Sequence, residues 1–525
     1  MKIKITAILI CSIFMIATVL PVSGSNVEIE KENVSSAGML RNLNLDLAIT
    51  NAGSNQVNIF LGDGSGEFEN SGNFSVGNFP VGIIDGDFNL DGILDIITTD
   101  YEDANVTLLI GDGTGSFALT ARFPVDLEPL GIIDEDFNGD GKIDIAVANS
   151  GSNKVSVLIG DGASGFAPQQ TFTVGNGPVD LCSGMFDGDS NVDLISANLD
   201  SNSIALLTGD GEGGFVLADT IDLGYDYQPY AISKGDFDKD GNMDVVVASG
   251  GYPDIGVLLG DGAGGFDPLQ NFTVGLGLER FDIVVEDFNN DENLDIAVPN
   301  TNEDTISVLL GNGTGGFGTH QTFVVGAYPV GICDGDFDED GDPDLAVTNA
   351  FDNTVSVLIG NGAGGFSTQQ ILFAGEVPVG ILSGNIDHIP VPDLECNGSL
   401  YWTGIKPGAD IIDSFSIGNT GEVSSVLKWK IQSYPSWGEW SFSETSGNIP
   451  DATWEEIQVL ITAPNESDTF TGTIKIINLE DPNDECEIEV YVKTPRTKTL
   501  FESLLELILE RFPNAFPILR QILMR

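Results

Sequence analysis

The residues of this 525-residue chain best suited to chemistry are oxygen donors at alternate positions of a short loop. In Asp136-Phe137-Asn138-Gly139-Asp140-Gly141-Lys142-Ile143-Asp144, positions one, three and five turn side-chain oxygens to one side. Gly141 permits a sharp turn, position seven can add a backbone carbonyl, and Asp144 closes the cage. Hard oxygen ligands without Cys or His select Ca2+ over transition metals, and a flexible cage of this kind disfavours Mg2+. The same pattern supplies Asp87, Asn89, Asp91 and Asp95; Asp236, Asp238, Asp240 and Asp244; and Asp336, Asp338, Asp340 and Asp344. A weaker copy holds Asp287, Asn289, Asp291 and Asp295, with Glu292 where the others have Gly. The stretch from Met185 to Asp193 lacks the first carboxylate and is not counted as a site. Carboxylates crowded this closely repel one another unless a cation joins them, so Ca2+ in about four to five such loops is expected to act as a structural clip.

The elements that must hold these loops follow from their spacing. The last Asp of each copy falls at 46, 95, 144, 193, 244, 295 and 344, a period near fifty residues that points to a propeller or solenoid. One period reads as four strands, with the acidic loop between the first and second. Gly111-Asp112-Gly113-Thr114-Gly115-Ser116-Phe117 and its equivalents form a tight turn between the third and fourth, and the Phe after each turn is expected to pack between blades. Asp46 has no first strand before it, and Pro378 to Ile386 is a first strand with no blade after it. Ring closure, with that C-terminal strand joining three N-terminal ones, resolves both and removes an open sheet edge. The fold expected is all-β: a seven-bladed β-propeller over 40–393, then an immunoglobulin-like β-sandwich over 394–494 and a short amphipathic helix in the tail 495–525. Residues 1–24 read as a secretory signal and 25–39 as a linker, so the expected location is secreted or cell surface.

The Asp-Phe-Asn/Asp-x-Asp-Gly-x-x-Asp loops, together with Leu-Ile-Gly-Asp/Asn-Gly-x-Gly-Gly-Phe turns, resemble the integrin-α-type propeller family and its prokaryotic branch of FG-GAP-like, or VCBS, repeats. That resemblance covers 40–390 and implies a calcium-binding propeller used for adhesion. The region after 394 loosely resembles BACON-type immunoglobulin modules.

Acidic residues outnumber basic ones 80 to 20, a net charge of -60, which excludes a general nucleic-acid binder. Only two histidines, His320 and His388, and few lysines and arginines leave little for proton transfer, so no catalysis is expected. The expected function is binding of a surface glycan or protein. The alternatives are a polysaccharide lyase or sugar dehydratase on a propeller scaffold, and a structural part of a surface layer.

Tyr225, Tyr227, Tyr230 and Tyr252 fall in the loops on the face opposite the acidic ones, beside two-residue insertions in the repeat. Exposed aromatic side chains there would suit stacking on sugar rings or anchoring a protein, so these four are the candidate ligand-binding residues. Cys182 and Cys333 sit at equivalent first-strand positions and read as buried. Cys396 and Cys486, near the ends of the sandwich, are a candidate disulfide. The basic tail, with Phe501, Leu504, Leu505, Ile508 and Leu509 at helical spacing, is a candidate membrane or envelope contact.

Overall fold

A computed structural model describes residues 44–494 apart from 276–281, 368–369, 423 and 482–483. The expected signal segment, linker and tail helix lie outside the described residues. Among the described residues there is no α-helix, and the strands form seven four-stranded antiparallel sheets followed by a two-sheet sandwich. The chain divides into two compact units, the second starting at Pro390. The division precedes the expected boundary because Val391 and Asp393 already bond into the second unit: Val391 carbonyl accepts from the Glu422 amide at 3.0 Å, and Asp393 carbonyl from that of Thr420 at 2.9 Å.

In the first unit each sheet is a blade. Blade two shows the pattern: Pro80–Gly86, Asp95–Asp100, Asn105–Gly111 and Phe117–Pro124, paired in that order. The second strand, Asp-Ile-Ile-Thr-Thr-Asp, is buried at every position, whereas the fourth is mostly exposed and alternates. A strand covered on both faces needs a continuous small apolar run; an outermost strand needs only one apolar face. Blade one closes the ring: Pro378–Gly384 pairs with Asp46–Asn51, Ala48 opposite Leu382 and Ile49 opposite Ile381.

Neighbouring blades share aromatic seams. Phe88 in the acidic loop of blade two meets Phe166 after the hairpin of blade three, ring centres 5.9 Å apart. Phe137 meets Phe215, Phe186 meets Phe266, Phe237 meets Phe317, Phe288 meets Phe366, and Phe337 meets Phe68 of blade one in the same way. In the remaining seam Ile386 takes the place of the loop Phe and shares a core cluster with Phe117. Backbone bonds reinforce the pattern: Ser164 N–H donates to the Phe88 carbonyl at 3.1 Å and Gly364 N–H to that of Phe288 at 2.9 Å.

The second unit packs one sheet, Leu394–Asn397, Asp410–Asn419, Trp454–Thr462 and Glu439–Phe442, over another containing Leu400–Thr403, Glu485–Lys493, Thr469–Asn478, Val426–Ser433 and Ser446–Pro450. Trp429 is fully buried between them. Cys396 and Cys486 are joined, linking the two sheets with Cα atoms 5.8 Å apart.

Candidate metal loops

Every loop is shaped by its own carboxylates. Asp136 accepts the amide of Asp140 at 3.1 Å on Oδ1 and that of Gly141 at 2.7 Å on Oδ2. Asp87, Asp236 and Asp287 hold positions five and six of their loops likewise. The fifth position, Asp91, Asp140, Asp240, Asp291 or Asp340, accepts the amide two residues on at 2.8–3.1 Å. The sixth position is left-handed throughout: φ is 80° at Gly92, 79° at Gly141, 90° at Gly241 and 89° at Gly341, and Glu292 is forced to 66°.

The ninth position is fully buried and bridges two loops of its blade. Asp95 accepts the Phe88 amide on Oδ2 at 3.2 Å and the Gly111 amide, at the hairpin, on Oδ1 at 3.0 Å. Asp144, Asp244, Asp295 and Asp344 repeat both bonds. Burial, reinforced by neighbouring loop carboxylates and partly offset by these amides, pushes Asp95 and Asp344 up to about 7 and Asp144, Asp244 and Asp295 up to about 6.

Two of the expected sets gather three carboxylates with oxygens within 4.8 Å of one another: Asp236, Asp238 and Asp244, and Asp336, Asp338 and Asp344. Asn89, Asn138 and Asn289 stand at position three of the others; Asn138 Oδ1 accepts the Asp140 amide at 2.9 Å, and Asn289 donates through Nδ2 to Asp295 Oδ2 at 3.0 Å. Two buried oxygens in these loops have no hydrogen-bond partner, Oδ1 of Asn89 and Oδ1 of Asp336. Acceptors stranded out of water are costly unless a cation takes them, so the donor set fits Ca2+.

The sequence reading missed a third carboxylate trio. Asp187, Asp189 and Asp193 of blade four converge within the same 4.8 Å although Met185 occupies position one. The signal was the retained spacing of positions three, five and nine. It also missed first-strand carboxylates, which strand patterning absorbs: burial raises Asp85 and Asp334 to about 7 and Asp134 to about 6.

Four stretches, 136–184, 186–247, 236–298 and 287–347, match the family model described as FG-GAP-like repeat. These are FG-GAP-like repeats. The repeats share their fold with a provisionally assigned 6-phosphogluconolactonase from Bacteroides uniformis (14% identity, TM-score 0.54, 65% of this chain and 99% of that one). A Lactobacillus plantarum protein aligns at 14% identity and TM-score 0.52, again over 65% and 99% of the chains. The periplasmic gluconolactonase PpgL of Pseudomonas aeruginosa aligns at 14% identity and TM-score 0.50, over 65% and 98%. No curated protein matches the chain by sequence.

Two expectations are corrected. Excluding catalysis from the scarcity of His, Lys and Arg does not stand, because two propellers sharing the FG-GAP-repeat unit's fold carry lactonase names. The tyrosine sector is not four exposed rings. Tyr227 and Tyr230 are 2% and 4% exposed, while Tyr225 is 90% and Tyr252 43% exposed. The physical reason is glycine: a Cβ on Gly250 would fall 1.8 Å from the Tyr230 ring, and one on Gly256 2.4 Å from the Tyr227 hydroxyl. Tyr227 donates its hydroxyl to the Val247 carbonyl at 3.3 Å.

Proposed function

We propose that this protein is an exported, calcium-clipped propeller that presents a rigid surface for binding a glycan or protein partner at the cell exterior, with its sandwich an immunoglobulin-type module. The observation that carries the calcium reading is the convergence of positions one, three and nine, as at Asp236, Asp238 and Asp244, on a ninth Asp that already ties loop to hairpin. Those three residues would hold the ion in blade five, and their counterparts would do so in blades two, three, six and seven. Bound Ca2+ supplies positive charge that lets the buried carboxylates stay ionised together. The ninth Asp then keeps both amides bonded, and the Phe at position two stays seated against the next blade.

Support for export is the apolar run with small residues at 21–24, and for adhesion the FG-GAP-like repeats. The test is a binding screen against surface glycans and proteins with calcium and with chelator; binding that requires calcium supports the reading. A second reading, hydrolysis, draws on the lactonase names of two fold neighbours. Turnover of sugar lactones by the same preparation would favour it.

A further inference from the structure

We infer that the outermost strand of blade seven, Gln370–Phe373, is the contact through which two copies of this chain pair edge to edge. Its outward residues, Ile371 and Phe373, are 53% and 81% exposed. The matching strands of blades three and five put Thr171 and Thr173, and Asn271 and Thr273, at these positions, and that of blade six puts Thr322 and Val324 there. Thr and Asn suit a solvated edge, whereas an Ile and a Phe side by side on it are stabilised only when another surface covers them. Between them Leu372 turns inward to the cluster of Val355 and Val357, which holds the strand in place. Its other edge pairs with no described strand.

Charge marks the same sector. The chain carries -60 in all, yet no Asp, Glu, Lys or Arg occurs from Thr305 to Cys333 or from Asn353 to Gly375, the stretches that hold the third and fourth strands of blades six and seven. Five hairpins have Asp at their second position, Asp63, Asp112, Asp161, Asp210 and Asp261, whereas these two blades have Asn312 and Asn361. Other outer strands that expose apolar side chains also carry charge: Arg122 follows Leu119, and Asp219 and Asp222 follow Val216 and Leu217. Loss of charge together with exposed aromatic and aliphatic side chains is the composition of an interface core.

The occupant is a second copy because the strand is complementary to itself. Run antiparallel about a two-fold axis through Leu372, it sets Ile371 of each chain opposite Phe373 of the other on one face, an aliphatic–aromatic cross-strand pair made twice. Two chains of charge -60 repel least where neither carries charge, and this edge is such a place. The strand is short, so the dimer belongs with small, weak interfaces.

The test is sedimentation equilibrium of the full-length protein at low and high salt, from about 1 to 500 µM, the range suited to a small interface. A monomer–dimer equilibrium is expected, and it tightens as salt screens the repulsion between chains. Ile371→Thr combined with Phe373→Thr, the residues of blade three, raises the dissociation constant about a hundredfold, the scale of two buried anchors, with the melting temperature of the monomer unchanged. Val216→Thr, on the charged outer strand of blade four, leaves it as it was. Amide exchange at 371–373 slows in the dimer. The inference is overturned if the protein stays monomeric throughout, if dimerisation ignores the double substitution, or if salt dissociates the dimer. Capture of the monomer by phosphatidylcholine vesicles through Ile371 and Phe373 would also overturn it, assigning the patch to a membrane. Dimerisation only of protein lacking 495–525 would do the same, assigning the patch to the tail.

Discussion

Asp46 and Ile386 lie 340 residues apart, yet Asp46 Oδ2 accepts the Ile386 backbone amide at 2.8 Å, so the ninth carboxylate of blade one also ties the two ends of the ring together. It further accepts the Asp387 amide at 3.1 Å and, on Oδ1, the Gly62 amide at 2.9 Å. Asp46→Ala strands these donors at about 1–3 kcal/mol each. Denaturant unfolding should show a loss of about 3 kcal/mol or more, the sum over the three donors, and hydrogen exchange should show Leu47 to Ile49 losing protection first.

Acid should stabilise the metal-free protein. Burial raises Asp95, Asp144, Asp244, Asp295 and Asp344 in the folded state to about 6 to 7, above the ordinary aspartate value of 3.8, so the folded chain holds more protons than the unfolded one. Their contribution is complete below the unfolded value and is lost as pH rises through 6 to 7. Asp180, buried between the amides of Leu181 and Ile232 and raised to about 8 by desolvation, extends that window upward. In chelator the melting temperature should fall steadily from about pH 5 to pH 8; with calcium, which competes with those protons, the slope should flatten or reverse. Thermal scans across that range check both.

Glu292 occupies a left-handed position, φ 66°, where four sister loops have Gly. Glu292→Gly should relieve about 1 kcal/mol of backbone strain and raise the melting temperature, and in a calcium titration it should strengthen the sixth blade's site. An unchanged or lowered melting temperature would show that the strain is offset locally.

The tyrosine loop of blade five divides into core and surface. Tyr227→Ala empties a buried site against Gly256 and should cost about 3–5 kcal/mol, whereas Tyr225→Ala should stay within about 0.5 kcal/mol. Chemical denaturation of the two variants side by side separates them.

Much of this was legible in the chain because the repeat is built from residues with narrow conformational roles. The ninth Asp fixed the period, the Gly at position six fixed the turn, and Pro378 to Ile386 without a following blade announced the closure that Ile49 and Ile381 make. The hairpin Phe could be placed between blades because an apolar ring after a tight turn has one dry place to go, and Phe166 against Phe88 occupies it. Side-chain direction in irregular loops was not legible. Tyr227 and Tyr230 read as surface aromatics because Gly250 and Gly256, which admit them to the interior, lie about twenty to thirty residues further along. Blade four was dismissed for Met185 at position one, although Asp187, Asp189 and Asp193 need only each other to converge. The ninth Asp reads from the sequence as a ligand alone; its bond to the Gly111 amide reaches the hairpin sixteen residues on, which spacing within the loop does not reveal.

The most direct test of calcium as the clip is elemental analysis of the purified protein, paired with melting curves before and after chelation. The account predicts about four to five calcium ions per chain, a clear drop in melting temperature with chelator, and recovery on adding calcium back. Protein free of stoichiometric calcium, with a melting temperature that chelator does not move, would contradict it.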